Sequence, residues 1–301
     1  MNSWFIEEAR SLGFVSVGFS TSGRPPFFDR FCEWTAAGKH GEMKWLKRSQ
    51  QLREDSGKLL KGCRTVVTLA YPYSAIKPYT EDGFCSARYT EPGKADYHDR
   101  LRAKAQRLSK LLTDKYPGTR TRVCVDSAPI LERSFAYASG IGFIGKNNMF
   151  IIPGYGSYIF LLEILADTLL PFKKIEPMME QCGSCSRCLN ACPTGALEEP
   201  FSIDASRCLS YLTIEHSESV SSEIGRKMGE CFLGCDRCQE ACPFNEGRDK
   251  KNILLPHTDE ILEMDEKDFE KFLGSTAFER VGLTKLKENI RAIRSTSSLP
   301  G

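Results

Sequence analysis

The chain has 301 residues, of which 41% are hydrophobic and 27% charged, and its formal net charge is +2. This composition is typical of a globular protein with a substantial core, and any contact with a polyanion must come from a local basic surface. The first residues show no export signal, and no apolar run approaches the roughly 18 residues of a membrane span. Thirteen cysteines without an export signal indicate a reducing compartment, so we expect a cytoplasmic protein whose clustered thiols bind metal.

Residues 1–170 are predicted to form a mixed α/β (α+β) domain, because helical and strand-like segments alternate along them. Helices are predicted over 3–13 and 99–112, where apolar residues recur at helical spacing. Segments rich in β-branched and aromatic residues predict four strands, which are residues 14–20, 65–71, 121–127 and 157–167.

The segment GIGFIGKNN, residues 140–148, has the glycine spacing of two nucleotide-binding loops. Its context argues against both, because a helical segment precedes it and Asn147 stands where a phosphate-binding loop needs Ser or Thr. The segment is therefore either a glycine turn after a helix or a backbone that packs closely against a large flat ligand.

Residues 168–181 are predicted to be a linker into residues 171–250, a module that resembles bacterial ferredoxins. Its first run, 182–193, reads C-x2-C-x2-C-x3-C-P, and its second, 235–243, reads C-x2-C-x3-C-P. Zinc sites also use C-x2-C pairs. The proline-terminated run, present twice, favours two 4Fe-4S clusters, in which the last cysteine of each run binds the other cluster.

Counting cluster ligands leaves one position open. One cluster takes three cysteines from the first run and the last of the second, namely Cys182, Cys185, Cys188 and Cys242. The other cluster takes only three from these runs, namely Cys192, Cys235 and Cys238. Its fourth ligand is either Cys231 or Cys208, because position 232, where a simple two-cluster ferredoxin carries cysteine, is Phe232.

Residues 251–301 are predicted to be a charged helical extension that follows the cysteine module. Two basic segments, residues 44–53 and 285–294, are candidates for contacts with phosphate groups. Helices of this kind are more often simply solvated surfaces.

The segment VDSAPILERSFAYASGIGFIGKNN, residues 125–148, resembles the epoxyqueuosine reductases, as do both cysteine runs and residues 208–215. The similarity also covers residues 41–55 and 87–101. These enzymes of tRNA modification depend on cobalamin and iron–sulfur clusters and are related to the reductive dehalogenases. The resemblance favours Cys208 as the missing cluster ligand and makes Cys231 a buried thiol.

The resemblance implies that residues 1–170 bind base-off cob(II)alamin, which receives electrons one at a time from the two clusters. The implied substrate is epoxyqueuosine in the wobble position of the tRNA anticodon loop, whose epoxide is reduced to give queuosine in the last step of its biosynthesis. The implied electron donor is an external protein of the flavodoxin or ferredoxin type, and the implied oligomeric state is a monomer.

The resemblance also makes Asp126 the proton donor, although its place before Ser127 and Pro129 equally suits the N-cap of a helix. Candidate cobalamin contacts are Tyr89, Tyr97, Asp126, Lys146 and Asn147, and two residues are expected between cluster and corrin, Ser210 and Leu212. His98 half-matches a motif that supplies histidine to cobalt, but Leu101 replaces its glycine. We therefore expect His98 to be a structural or pocket residue.

Two other functions share these motifs. The first is a reductive dehalogenase-like corrinoid enzyme acting on a small molecule, whose respiratory members usually carry a twin-arginine signal that the first residues here do not show. The second is a non-catalytic iron–sulfur electron carrier, for which residues 1–170 are larger and more patterned than a docking platform needs.

Overall fold

The computed structural model describes residues 3–248 and 250–296. Its helices are α1 (Ser3–Ser11), α2 (Phe28–Ala36), α3 (Lys44–Arg48), α4 (Gln50–Glu54), α5 (Tyr97–Lys115), α6 (Glu132–Ala138), α7 (Arg187–Asn190), α8 (Leu209–Ile214), α9 (Ser222–Met228), α10 (Arg237–Glu240), α11 (Thr258–Glu263), α12 (Glu266–Phe272) and α13 (Gly282–Arg294). Its strands are β1 (Ser16–Thr21), β2 (Thr65–Pro72), β3 (Ile76–Tyr79), β4 (Cys85–Ser86), β5 (Thr121–Val125), β6 (Phe143–Ile144), β7 (Phe150–Ile151), β8 (Ile159–Ala166), β9 (Cys231–Leu233) and β10 (Lys250–Ile253).

The main sheet has the order β1-β2-β8-β5 and is antiparallel throughout. It consists of the four strands predicted from the sequence, so that prediction is confirmed. Successive side chains of a strand point to opposite faces. Leu162 and Ile164 of β8 accordingly join the core under α1 and α5, whereas Leu165 joins the core under α6. The sheet is thus covered on both faces.

A second sheet has the order β10-β3-β4-β9 and joins distant parts of the chain. Cys85 of β4 lies opposite Cys231 of β9, only four residues before Cys235. Phe84 packs in one core with Phe232 and with apolar residues of α13. The predicted domain 1–170, the cysteine module 171–250 and the helical extension after it all contribute residues to this sheet and core. The domain boundaries near residues 170 and 250 stay predictions.

The site of interest lies where the main sheet meets α5. Asp126 directly follows β5, and α5 begins at Tyr97 after the N-cap Asp96, whose carboxylate accepts a hydrogen bond from the backbone N–H of His98 (2.7 Å). These two ends bring Asp126, Tyr97 and His98 together. Among the helices of residues 3–248 and 250–296, none has both the length and the apolar character needed to cross a bilayer.

Candidate functional site

A cavity of about 1430 Å³ opens beside the end of β5. Aromatic and basic side chains from α2, α3 and α4 form one wall, and the starts of α5 and α6 form another. Four of the residues predicted as cobalamin contacts line it, namely Tyr89, Tyr97, Asp126 and Asn147. The structure therefore brings together the front-half candidates that the sequence scatters over about sixty residues, except Lys146.

Asp126 lies at the centre of a hydrogen-bonded group. Its Oδ2 accepts hydrogen bonds from Oη of Tyr97 (2.7 Å) and pairs with Nε2 of His98 (2.9 Å). The other ring nitrogen of His98, Nδ1, lies 2.7 Å from Oδ1 of Asp96. The Tyr97 ring is held by stacking on Phe160, with ring centroids 4.2 Å apart. His98 therefore sits between two carboxylates beside an immobilised tyrosine.

The charges of this group favour a proton on His98. Its hydrogen bond to Asp126 is the main reason that the pKa of His98 is raised, with Asp96 adding to the effect against desolvation. Desolvation, the largest single influence on Asp126, raises the pKa of that carboxyl. Hydrogen bonds from His98 and Tyr97 together outweigh it, so the net pKa is lowered. The pair therefore favours the form in which His98 carries the shared proton and Asp126 is ionised, at a contact of 2.9 Å.

Asp126 is not a helix cap, so the N-cap alternative is wrong. The helix begins at Glu132, and its N-cap position is Leu131, without a side-chain cap. The backbone N–H of Asp126 instead donates to Oε1 of Glu132 (2.9 Å). Asp126 has a φ of 47°, in the left-handed region that aspartate adopts far less readily than glycine. Residues held in such strained conformations cluster at functional sites.

Two charged residues of the cavity, Glu132 and Arg280, were not singled out from the sequence, whereas Arg53 belongs to the predicted basic segment 44–53. Glu132 lies next to Asp126, and its pKa is raised to about 8 by desolvation and by the negative charge of Asp126. Arg53 of α4 also lines the cavity. Arg280 comes from the segment before α13 and forms an ion pair with Glu215, with Nε 3.0 Å from Oε1. No local sequence pattern marks Arg280. Glu132 follows Asp126 by six residues, and a carboxyl at that short separation from a candidate acid is a sequence signal for a second site residue.

The first predicted group of cysteines lies in one region of the structure. Cys182 and Cys242 pack against the same apolar cluster, which contains Phe143 and Ile151. Burial is the largest cause of the raised pKa of Cys242, and the charges of Cys182 and Cys185 add to it. The last cysteine of the second run therefore lies near the first run, although among residues 3–248 and 250–296 no three cysteine, histidine or carboxylate side chains are close enough to hold a metal ion.

The second group contains Cys208. After burial, the pKa of Cys208 is raised by Cys192, and that of Cys238 by Cys235 and Cys208. Cys208 directly precedes α8, and its backbone accepts a hydrogen bond from the N–H of Leu212 (2.9 Å). Cys208 and Cys235 both pack against the same apolar core.

Cys231 belongs to the second sheet. Its Sγ donates to the carbonyl of Leu233 (3.5 Å), and the hydrogen bond to Cys85 is the main cause of its raised pKa, ahead of burial. Phe232 beside it is fully buried in the core. The position where a simple ferredoxin carries a cysteine ligand thus holds a core residue.

Three of the predicted cobalamin contacts do not line the cavity. Nζ of Lys146 donates to the backbone carbonyls of Gly183 and Cys185, the latter at 3.0 Å, so the expectation for Lys146 requires correction. Its ammonium satisfies carbonyls of the first cysteine run instead. The remaining two lie on α8 next to Cys208, where Leu212 is buried in the core beside the half-buried Ser210.

The glycine segment is a turn packed against its own hairpin. A Cβ atom on Gly142 would lie 2.3 Å from the carbonyl oxygen of Ile151, and one on Gly145 would lie 2.7 Å from the Ile151 side chain. The backbone at these glycines therefore packs closely against β7. Of the two alternatives from the sequence, the segment is a glycine turn rather than a backbone packed against a flat ligand. Asn147, which follows, is buried, and its Nδ2 donates to the carbonyl of Cys238 (3.1 Å).

Two family models match the chain. A model described as a 4Fe-4S double cluster binding domain matches residues 181–245. A model described as epoxyqueuosine reductase QueG, DUF1730, matches residues 53–127, which end at Ser127 directly after Asp126. The cysteine runs are thus iron–sulfur binding sequences rather than zinc sites.

Curated relatives and solved structures extend over nearly the whole chain. The epoxyqueuosine reductase of Gloeobacter violaceus is 34% identical over 307 residues, covering 96% of this chain and 94% of that protein. The Escherichia coli enzyme is also 34% identical, over 96% of this chain and 78% of its own length. A crystal structure of epoxyqueuosine reductase with an epoxyqueuosine-modified tRNA-Tyr stem loop matches with a TM-score of 0.85 at 30% identity, covering 98% of this chain and 81% of that one. The chain therefore belongs to the epoxyqueuosine reductase family.

Proposed function

We propose that this protein reduces the epoxide of epoxyqueuosine in the tRNA anticodon loop, using a cobalamin held in the cavity and electrons from two 4Fe-4S clusters. One observation carries the proposal. The cavity is lined by the hydrogen-bonded pair His98 and Asp126 and also by Asn147. The side-chain amide of Asn147 donates a hydrogen bond to the backbone carbonyl of Cys238. The cavity and the second group of cysteines are therefore in direct contact, as electron delivery to the cavity requires.

The cavity fits a corrin and a nucleoside. Most small-molecule pockets measure about 300–1,000 Å³, so a cavity of about 1430 Å³ has room for a larger ligand. Tyr89 and Tyr97 offer apolar faces, and Asn147 offers an amide to the amide groups at the rim of a corrin. When bound, the cobalamin supplies a strongly reducing cobalt centre, and the clusters carry its electrons singly.

The chain's own residues orient the substrate and supply a proton. His98 and Asp126 share that proton across the contact between Nε2 and Oδ2, and both residues line the cavity. The hydroxyl of Tyr97 fixes the direction of the carboxyl. Asp126 is then placed to protonate the epoxide oxygen as the ring opens, which is general acid catalysis. A nucleoside from a single-stranded loop can be turned outward into such a pocket at small energetic expense.

The two cluster ligand sets follow from the two groups of thiols. We assign one cluster to the first group, Cys182, Cys185, Cys188 and Cys242. We assign the other to the second group, Cys192, Cys208, Cys235 and Cys238. The ligand Cys208 is supported over Cys231 because Cys231 is occupied by the second sheet. An external flavodoxin or ferredoxin would then load these clusters in the cytoplasm.

The first experiment is cofactor binding followed by product analysis. Protein purified and reconstituted without oxygen with iron, sulfide and cobalamin is expected to show the cob(II)alamin spectrum, and to convert epoxyqueuosine to queuosine in tRNA from a deletion strain. A preparation rich in iron and sulfide that takes up no cobalamin would support the electron-carrier alternative instead. Turnover of a halophenol without turnover of the tRNA would support the dehalogenase alternative.

Reversing one charge on α3 is expected to weaken tRNA binding. Arg48 and the exposed Trp45 lie on the segment 44–53 and line a smaller pocket, which shares Trp45 and Arg53 with the cavity. We expect Arg48→Glu to lower the affinity for the modified anticodon stem loop and to reduce by about one the slope of log affinity against log salt concentration. Fluorescence anisotropy with labelled stem loop at several salt concentrations measures both.

Arg291→Glu is the matched control for the second basic segment. Arg291 is exposed on α13, which does not line the cavity. Neighbouring basic side chains of α13 are engaged by the chain itself, as Lys287 is by the carbonyl of Met264 (2.6 Å). An equal loss of stem-loop affinity in Arg48→Glu and Arg291→Glu would contradict the assignment of tRNA binding to residues 44–53.

A further inference from the structure

The reaction requires a second proton, and this requirement rests on the proposed function. Reducing an epoxide to an alkene breaks two C–O bonds, forms the C=C bond and releases the oxygen as water. The balance consumes two electrons, which the external one-electron donor supplies through the clusters, and two protons. The His98–Asp126 pair shares one proton, and the raised pKa of His98 favours its place on the imidazole. The other proton calls for a second donor.

Glu132 is the titratable neighbour of Asp126 on the wall of the cavity. Its Oε1 accepts the backbone N–H of Asp126 at 2.9 Å, so the Glu132 carboxyl is held against the backbone of Asp126, and both residues line the cavity. Desolvation and the charge of Asp126 raise the pKa of Glu132 to about 8. Because this value lies above neutral pH, Glu132 carries a proton under the conditions in which Asp126 is ionised.

The basic groups near Glu132 do not compete for this role. Arg53 on α4 donates from Nη1 to the carbonyl of Ile130 (2.9 Å), and Arg133 on α6 donates to the carbonyl of Asn148. Among the residues of 3–248 and 250–296, no ion pair involving Glu132 is found. The charges of Arg133 and Arg53 lower the pKa of Glu132, but desolvation and the charge of Asp126 outweigh them.

Glu163 stands behind Glu132 in the protein interior. It lies at the middle of β8, opposite Thr68 of β2 and Cys124 of β5, on the face that α6 covers. It is 0% exposed, and neither carboxyl oxygen has a hydrogen-bond partner among the described residues. Burial and then the charge of Glu132 raise its pKa, so the two carboxyl groups are near each other. A carboxyl buried in this way stays neutral.

We propose that Glu132 holds the second proton of the reaction and passes it to Asp126 after Asp126 has protonated the epoxide oxygen. In this sequence the first proton comes from the His98–Asp126 pair and the second from Glu132, and both end in the water that leaves. Asp126 contacts the substrate in both steps, whereas Glu132 acts through it and Glu163 stays neutral behind Glu132.

Infrared titration of the purified chain without added cofactors tests the proton-holding group directly. We expect the carbonyl band of a protonated carboxylic acid to disappear with a midpoint near pH 8 in the unmodified protein and in Glu223→Gln, and this step to be absent in Glu132→Gln. Glu223 is an exposed residue of α9 remote from the cavity, so it controls for the substitution itself. A second band should persist throughout and be lost only in Glu163→Gln. A step near pH 8 that remains in Glu132→Gln would overturn the proposal.

Single-turnover kinetics with the reduced holoenzyme provide the second test. Glu132→Gln is expected to slow formation of queuosine by about 10²-fold and to remove the fall in rate that the unmodified enzyme shows above about pH 8. An unchanged rate and an unchanged fall in this variant would refute the relay while leaving the proposed function intact. Failure of the unmodified holoenzyme to reduce epoxyqueuosine would refute the proposed function instead, and the infrared result would still stand.

Discussion

Asp126→Asn is expected to slow single-turnover reduction of epoxyqueuosine by a factor of about 10²–10⁴, with iron and cobalamin still bound. The amide has the shape of the carboxyl and can keep a hydrogen bond to His98, so the cavity is preserved. It cannot take a proton from His98 and give it to the epoxide oxygen. The measurement is rapid-quench analysis of tRNA nucleosides after reduced enzyme is mixed with substrate.

The matched control is Asp99→Asn. Asp99 lies one residue after His98 on α5, but its side chain is 80% exposed and only weakly paired with Arg102 (3.7 Å). We expect this variant to keep the full rate. A full rate in Asp126→Asn would remove Asp126 from the acid role, whereas an equal loss in both variants would point to damage to α5.

The same variant has a signature that does not depend on turnover. The hydrogen bond to Asp126 is the main cause of the raised pKa of His98. Loss of that negative partner in Asp126→Asn should lower the pKa of His98, which proton NMR of the imidazole follows. Because protonated His98 supplies the first proton, the rate in the unmodified enzyme should fall as the pH rises through the pKa of His98.

The main sheet could be predicted because its strands are long and chemically distinctive. Residues 65–71 and 157–167 are rich in β-branched, aromatic and aliphatic residues, and β2 and β8 occupy the centre of the sheet that they form. The second sheet gives no such signal. Its strands have two to four residues, and β10 is exposed along its length, so their pairing depends on the packing of distant parts of the chain.

The candidate site could be predicted where chemistry follows from spacing. The cysteine runs and the motif around Asp126 are local patterns. Ser127 and Pro129 suggested a helix start, but α6 begins only at Glu132, so Asp126 is free to face the cavity. Glu163 was hidden within an apolar strand, and Arg280 reaches the cavity through tertiary packing alone. The relation of Glu132 to Asp126 depends on a backbone turn that no periodicity reveals.

Cys208→Ser is expected to remove about half of the bound iron and to abolish turnover. A four-iron cluster requires four ligands, and the second group of cysteines has Cys208 beside Cys192 and Cys238. Loss of this cluster interrupts the route from the external donor to the cavity, because Cys238 is bonded through its carbonyl to Asn147. Iron and sulfide analysis of the reconstituted variant, with its electron paramagnetic resonance spectrum after reduction, measures the loss.

Cys231→Ser decides between the two cysteines that spacing alone left open. The Cys231 thiol donates to the carbonyl of Leu233, a bond that a serine hydroxyl can also make, and it lies opposite Cys85 in the second sheet. We therefore expect this variant to keep its iron and its turnover. Loss of iron in Cys231→Ser with retention in Cys208→Ser would reverse the ligand assignment. It would also require β9 to leave the second sheet, where the Cys231 thiol now faces Cys85.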